Sequence, residues 1–138
     1  MRLWVRPAAV AGAAAIAMTG VVIAPGTAVA AVSTTAPVVI NEVYGGGGNG
    51  GATFKNDFVE LRNTSAEPVD VTGWSVQYAS AAGTNWSGSV GISGIIAPGA
   101  SYLVKAAGAQ AGNGAELPEA NVTAIFDMAG ANGNVALV

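Results

Sequence analysis

The sequence predicts an all-β sandwich, and three observations carry that prediction. Beyond residue 30, no long segment repeats apolar residues at the 3.6-residue period of a helix. Short runs alternate apolar and polar side chains instead, and they are rich in β-branched and aromatic residues. Turn residues, among them Pro68, Gly73 and the Pro98-Gly99 pair, separate these runs at intervals of roughly 8–12 residues. About seven short strands in a domain of ~100 residues is the pattern of two packed sheets. No fixed repeat is visible, which argues against a solenoid or a propeller.

Along the chain, residues 1–30 read as a secretory signal peptide. Arg2 and Arg6 form a short basic head, and an uncharged, mostly apolar run follows from Ala8 to Ala24. Pro25 and Gly26 break that run, and the small residues Ala28-Val29-Ala30 place the cleavage between Ala30 and Ala31. The competing reading is a retained membrane anchor, but the run is shorter and weaker than the ~20 strongly apolar residues of a spanning helix. The alanine-rich leader has a bacterial character. The mature chain is therefore expected to be secreted and extracellular, with no membrane span after cleavage. Residues 31–37 form a short linker, and residues 38–138 form the domain.

Within the domain, "VVINEVY" (Val38–Tyr44) alternates Val39, Asn41 and Val43 against Val38, Ile40, Glu42 and Tyr44. "DFVELRN" sets Val59 and Leu61 against Phe58, Glu60 and Arg62, and "GWSVQYAS" sets Trp74, Val76 and Tyr78 against Ser75 and Gln77. Further strands are predicted in "NWSGSVGI" from Asn85 to Ile92, "SYLVKA" from Ser101 to Ala106, "VTAIF" from Val122 to Phe126, and the closing "VALV". "AAGAQAGNGAELPEAN" reads as a loop between strands.

The glycine-rich segment between the first two strands raises the question of phosphate binding. Gly46, Gly48 and Gly51 formally satisfy G-x-G-x-x-G, but a run of glycine does so trivially. That fingerprint needs a helix after the glycines, and here "ATFKNDFVEL" reads as a strand. A P-loop fails as well, because no Gly-Lys-Ser/Thr follows. The segment is expected to be a long, flexible and dispensable connection.

Charge and composition exclude several functions. After cleavage, Lys55, Arg62 and Lys105 face eight carboxylates, so the mature chain is acidic. Nucleic-acid affinity comes largely from lysine and arginine displacing counterions, so direct nucleic-acid binding is not expected. The chain has no histidine and no cysteine, which removes Ser/His/Asp, Cys/His and histidine–metal arrangements, and no disulfide supports the fold. A paired-carboxylate mechanism through Glu42 and Glu60 remains formally open, with nothing to supply a saccharide cleft. The chain is expected not to be an enzyme and to need no cofactor.

"VINEVY", the glycine-rich loop, "NDFVELRN", "VDVTGWSVQYAS" and "ISGIIAPGASYLV" occur here in an order and spacing that resembles the lamin tail domain family, and most of all its secreted bacterial members. The resemblance runs from Val38 to Val138 and implies an immunoglobulin-like antiparallel β-sandwich. It also implies that Asn41, Glu42, Phe58, Glu60, Asn63, Gly73 and Trp74 are motif residues with structural roles. Relatives of this kind often precede the catalytic domain of extracellular nucleases or phosphoesterases. They continue past the equivalent of "GNVALV", so the sandwich is expected to lack its final strand and to expose an edge near "VTAIF" or "VALV", open to self-association.

Glu42, Asp57 and Glu60 are also candidate calcium ligands, because carboxylates near strand ends are hard oxygen donors. No D-x-D-x-D-G loop accompanies them, and satisfaction of backbone groups at strand ends competes as an explanation. Trp74 is expected in the core and Trp86 on the surface. Sequons begin at Asn63, Asn85 and Asn121, and no glycans are assigned to them. The function these features imply is a secreted, non-catalytic interaction or targeting module with an unknown protein or cell-surface partner. The alternative is the amino-terminal piece of a secreted nuclease or phosphoesterase.

Overall fold

The computed structural model describes residues 36–138; the expected signal peptide lies outside the described residues. Nine strands and no helix occur among the described residues. They are β1 (Val38–Tyr44), β2 (Phe58–Asn63), β3 (Val69–Asp70), β4 (Ser75–Ser80), β5 (Gly88–Gly91), β6 (Ile95–Ile96), β7 (Ser101–Lys105), β8 (Val122–Thr123) and β9 (Gly133–Leu137). One sheet has the order β1-β2-β7-β8, a second has the order β5-β4-β9, and β3 and β6 form a small ladder of their own. All pairs are antiparallel except β7 with β8.

Alternation along the strands builds the interior. Val59 and Leu61 of β2, Tyr102 and Val104 of β7, and Val76 and Tyr78 of β4 all enter one buried cluster together with Val71, Ile92 and Ile96. Both main sheets contribute, so the apolar layer between them is the core of an all-β sandwich. Trp74 packs against this core, and Trp86 is exposed, as expected from the sequence. Burial of this layer is the main stabilising contribution, because no disulfide crosslinks the chain.

Two local features depart from the sequence reading. First, β1 does not alternate strictly. Val38 and Ile40 lie opposite Asn63 and Leu61, but the register shifts between Ile40 and Glu42, so Glu42 lies opposite Glu60 and Tyr44 opposite Phe58. Directly opposed residues share a face, so this β-bulge turns Glu42 and Tyr44 outward while Val38 and Ile40 face the core. Second, "VTAIF" supplies only the two residues of β8, and Ile125 beyond it is 95% exposed. The strand predicted at the closing "VALV" is present as part of β9, which pairs along β4 from Val76↔Leu137 to Ser80↔Gly133. Val138 extends that pairing, since its N–H donates to the Ser75 carbonyl at 2.9 Å and its carbonyl accepts the Ser75 N–H at 2.7 Å.

The glycine-rich segment is not slack. Gly47 and Gly48 are buried, and the Gly48 N–H donates to the Phe54 carbonyl at 2.9 Å. Ala109 donates to the Gly47 carbonyl and Asn113 to the Gly48 carbonyl, which ties the segment to the long loop after β7. A Cβ on Gly47 would collide with the backbone of Asn56 and Asp57, and one on Gly48 would lie 2.5 Å from the Ala109 carbonyl oxygen. Glycine here allows close backbone approach rather than freedom of movement.

Candidate functional site

The bulge in β1 and the alternation of β2 and β7 place three rows of side chains on the outer face of the first sheet. Glu42, Glu60 and Leu103 form one row, and Tyr44, Phe58 and Lys105 form the next. Arg62 and Ser101 face outward beyond Glu60. Phe54, from the end of the glycine-rich segment, meets both aromatic residues of the second row. Its ring lies edge-on to Tyr44 at 5.6 Å and to Phe58 at 5.8 Å, while Tyr44 and Phe58 stack at 5.4 Å. The Tyr44 hydroxyl accepts the Thr53 N–H at 2.9 Å, which fixes the approach of this segment.

A second wall comes from Leu117, Pro118, Glu119 and Asn121, which lie outside the strands, just before β8. Backbone pairing supports this wall at both ends. The Lys55 N–H donates to the Ala115 carbonyl at 2.9 Å and the Ala115 N–H to the Thr53 carbonyl at 2.8 Å. At the other end, Asn121 Oδ1 accepts the Leu103 N–H at 2.7 Å, and the Asn121 N–H donates to the Leu103 carbonyl at 2.9 Å. Between sheet and wall lies a groove of about 420 Å³, within the size range of ligand sites. Phe54, Phe58, Leu103, Leu117 and Pro118 give it apolar surface, and Glu42, Glu60 and Glu119 give it carboxylates.

The carboxylates of the groove form no ion pair among the described residues. Among the described residues the ion pair present is Lys55 with Glu116, outside the groove lining, and it holds the Glu116 carboxyl below its usual pKa. Glu42 and Glu60 stand directly across from one another, an arrangement that repels in an antiparallel pair. Asn41 Nδ2 donates to Glu60 Oε1 at 2.6 Å and orients that carboxylate.

The remaining candidates lie elsewhere and have structural partners. Asp57 is fully buried; its Oδ1 accepts the Gly47 N–H at 2.6 Å and its Oδ2 the Met128 N–H at 2.7 Å. Burial raises its pKa, the two N–H groups oppose that, and the nearby Asp127 raises it further. The carboxylate therefore joins the glycine-rich segment to the loop before β9. The three calcium candidates are thus not one constellation: Glu42 and Glu60 are neighbours on the outer face, and Asp57 is spent on backbone donors inside. Among the described residues no group of three or more carboxylates is placed to hold a metal ion.

Asn63 is also fully buried, and its side chain makes four hydrogen bonds. Nδ2 donates to the carbonyls of Glu67 and Ile96, both at 2.8 Å, and Oδ1 accepts from the N–H and hydroxyl of Ser65. Gly73 has φ +89° in the turn closed by the Trp74 N–H on the Val71 carbonyl, a conformation that side chains disfavour. The groove residues Phe54, Leu103, Leu117, Pro118, Glu119 and Asn121 were not indicated by the sequence reading. An outward leucine at Leu103 in β7, opposite Glu60, is the signal that points to them.

Comparison with family models matches residues 31–138 to the Lamin Tail Domain. Comparison with curated proteins and with solved structures gives no match. The match spans most of the sequence, and the chain belongs to the lamin tail domain family.

Proposed function

We propose that this lamin tail domain is a secreted, non-catalytic interaction module that docks a partner on the outer face of its first sheet. The observation that carries the reading is the groove at Glu42, Glu60 and Glu119, which combines an apolar floor with carboxylates that form no ion pair among the described residues. A surface kept in this state has a reason to exist in recognition, since like charges opposed on a sheet are otherwise unfavourable. The lack of histidine and cysteine in the sequence supports a role without catalysis. Secretion is supported by the basic head at Arg2 and Arg6, the apolar run and the small residues Ala28-Val29-Ala30, next to which the family match begins. Ahead of a nuclease or phosphoesterase domain, the same module would serve as its targeting part.

Two measurements test this reading. The purified protein should show no turnover of DNA, phosphomonoesters or oligosaccharides with calcium, magnesium or manganese. Metal-dependent turnover that disappears in Glu60→Ala, with the fold intact, would refute it. Amino-terminal sequencing of the chain exported by a bacterial host should begin at Ala31, and an intact leader on the exported chain would refute the secretory assignment.

A further inference from the structure

We propose that the groove takes a basic peptide segment, with a lysine or arginine side chain lying between Glu42, Glu60 and Glu119. This rests on the interaction-module reading and names the chemistry of its partner. Three features of the site select that chemistry. The carboxylates surround an open groove and are not gathered on a point, and no metal-holding group occurs among the described residues. A small hard cation therefore finds no cage here, whereas an organic cation can be met from several sides.

The floor between the carboxylates is apolar and partly aromatic, formed by Phe58, Leu103 and Leu117 with Phe54 at one end. A lysine or arginine has the matching build, with an aliphatic stem that covers apolar surface and a cationic head that pairs with carboxylate. Charge is the third feature. Glu42, Glu60 and Glu119 have no ion-pair partner among the described residues, so a cation entering the groove meets acceptors that no internal lysine or arginine already occupies. Arg62 and Lys105 lie on the same face, on the rows flanking Glu60. They limit the acidic stretch to the groove, and they disfavour an acidic or phosphorylated ligand over the rest of the sheet.

The two outward glutamates face each other because of the bulge at Asn41, and Asn41 holds Glu60 in place. Removing their charges should not harm the fold, because it relieves a repulsion. That makes the site separable from stability, and the test uses this property. The probe is a fluorescein-labelled hexapeptide of alternating lysine and leucine, followed by anisotropy with the purified chain. A peptide of alternating glutamate and leucine is the control.

The lysine peptide should bind and the glutamate peptide should not. The E42Q/E60Q double variant should bind it roughly tenfold or more weakly while melting at or above the parent temperature. E67K changes the net charge by the same amount on an exposed side chain outside the groove, and it should bind within about twofold of the parent if local pairing decides. L103Q, which keeps every charge, should also weaken binding. Equal binding by the parent and E42Q/E60Q, or an equal loss in E67K, overturns the proposal. So does displacement of the peptide by micromolar calcium, which would mean a metal site. If the peptide result fails while the protein stays inert in the turnover assays, the basic ligand is wrong and the module reading stands; turnover would remove the module reading itself.

Discussion

Replacing Asp57 by asparagine changes one oxygen to an NH₂ group and leaves the side-chain shape intact. The native carboxylate accepts two backbone N–H groups in a fully buried position, from Gly47 and Met128. Asparagine can accept only one of them. With its oxygen toward Gly47, its NH₂ group faces the Met128 N–H, donor against donor, and the flipped amide exchanges one conflict for the other. A buried donor without an acceptor costs about 1–3 kcal/mol. Loss of the buried charge offsets part of this, because burial is the largest influence on Asp57 and opposes its ionised form. The net expectation is a destabilisation of about 1–2 kcal/mol, or about 5–15 °C in Tm for a domain of this size. Thermal unfolding followed by near-ultraviolet circular dichroism at pH 7 measures it. A Tm within about 2 °C of the parent would show that the two loops are held by something other than this carboxylate.

The remaining predictions test the same framework at other points. Because the folded-state pKa of Asp57 lies above its ordinary value of 3.8, the folded chain takes up this proton more readily than the unfolded chain. Its contribution is therefore fully present below that ordinary value and is lost as pH rises through the raised one. The stability gap between the parent and Asp57→Asn should then widen as pH falls from neutral toward 4, with Asp70 and Glu116 cancelling in the difference; a narrowing gap in urea titrations refutes the sign. Gly47→Ala should destabilise by about 3 kcal/mol or more because its Cβ meets backbone, whereas Gly50→Ala, with open space around it, should stay within about 0.5 kcal/mol of the parent. Asn63→Asp turns two donors toward carbonyls into acceptors and should cost about 3 kcal/mol or more, read as a shift in the urea midpoint. Asn121→Ala removes one acceptor from Leu103 and should cost about 1 kcal/mol or less in global stability, while hydrogen exchange quickens at residues 117–121 in particular.

The fold was legible where side-chain alternation decides it. β2, β4 and β7 bury the residues that a period of two assigns to the core, although Phe58 and Ala79 on the opposite phase are buried as well. The failures have physical causes of the same kind. The bulge at Asn41 leaves no mark in the pattern of apolar residues, yet it reverses the facing of Glu42 and Tyr44 and so creates the carboxylate pair of the groove. The glycines of residues 45–51 are compatible both with slack and with tight packing. Only the position of the Asn56 and Ala109 backbone, distant or newly turned in the chain, decides between the two. The β3–β6 ladder has two residues on each side, too few for any periodicity to register. Asn63 and Asp57 were legible as motif and candidate residues, but their partners come from loops up to 71 residues away in sequence.

The packed loops and the outer groove are connected through β2. Asp57 stands immediately before Phe58: its carboxylate secures the inner loops, while the Phe58 ring turns outward into the aromatic trio. The glycine-rich segment that Asp57 anchors continues into Thr53, Phe54 and Lys55, and their backbone holds Ala115 at the head of the groove wall. The wall residues from Leu117 to Glu119 have no ladder of their own, so their position depends on Ala115 at one end and Asn121 at the other. Tight glycine packing is therefore a requirement of the groove as much as of the core. A slack segment would leave Phe54 free to leave the trio, and the wall would lose one of its two supports. That accounts for a buried carboxylate being kept where an apolar residue would fill space more cheaply: it fixes the geometry of a surface site from the inside, through donors that no apolar side chain could satisfy.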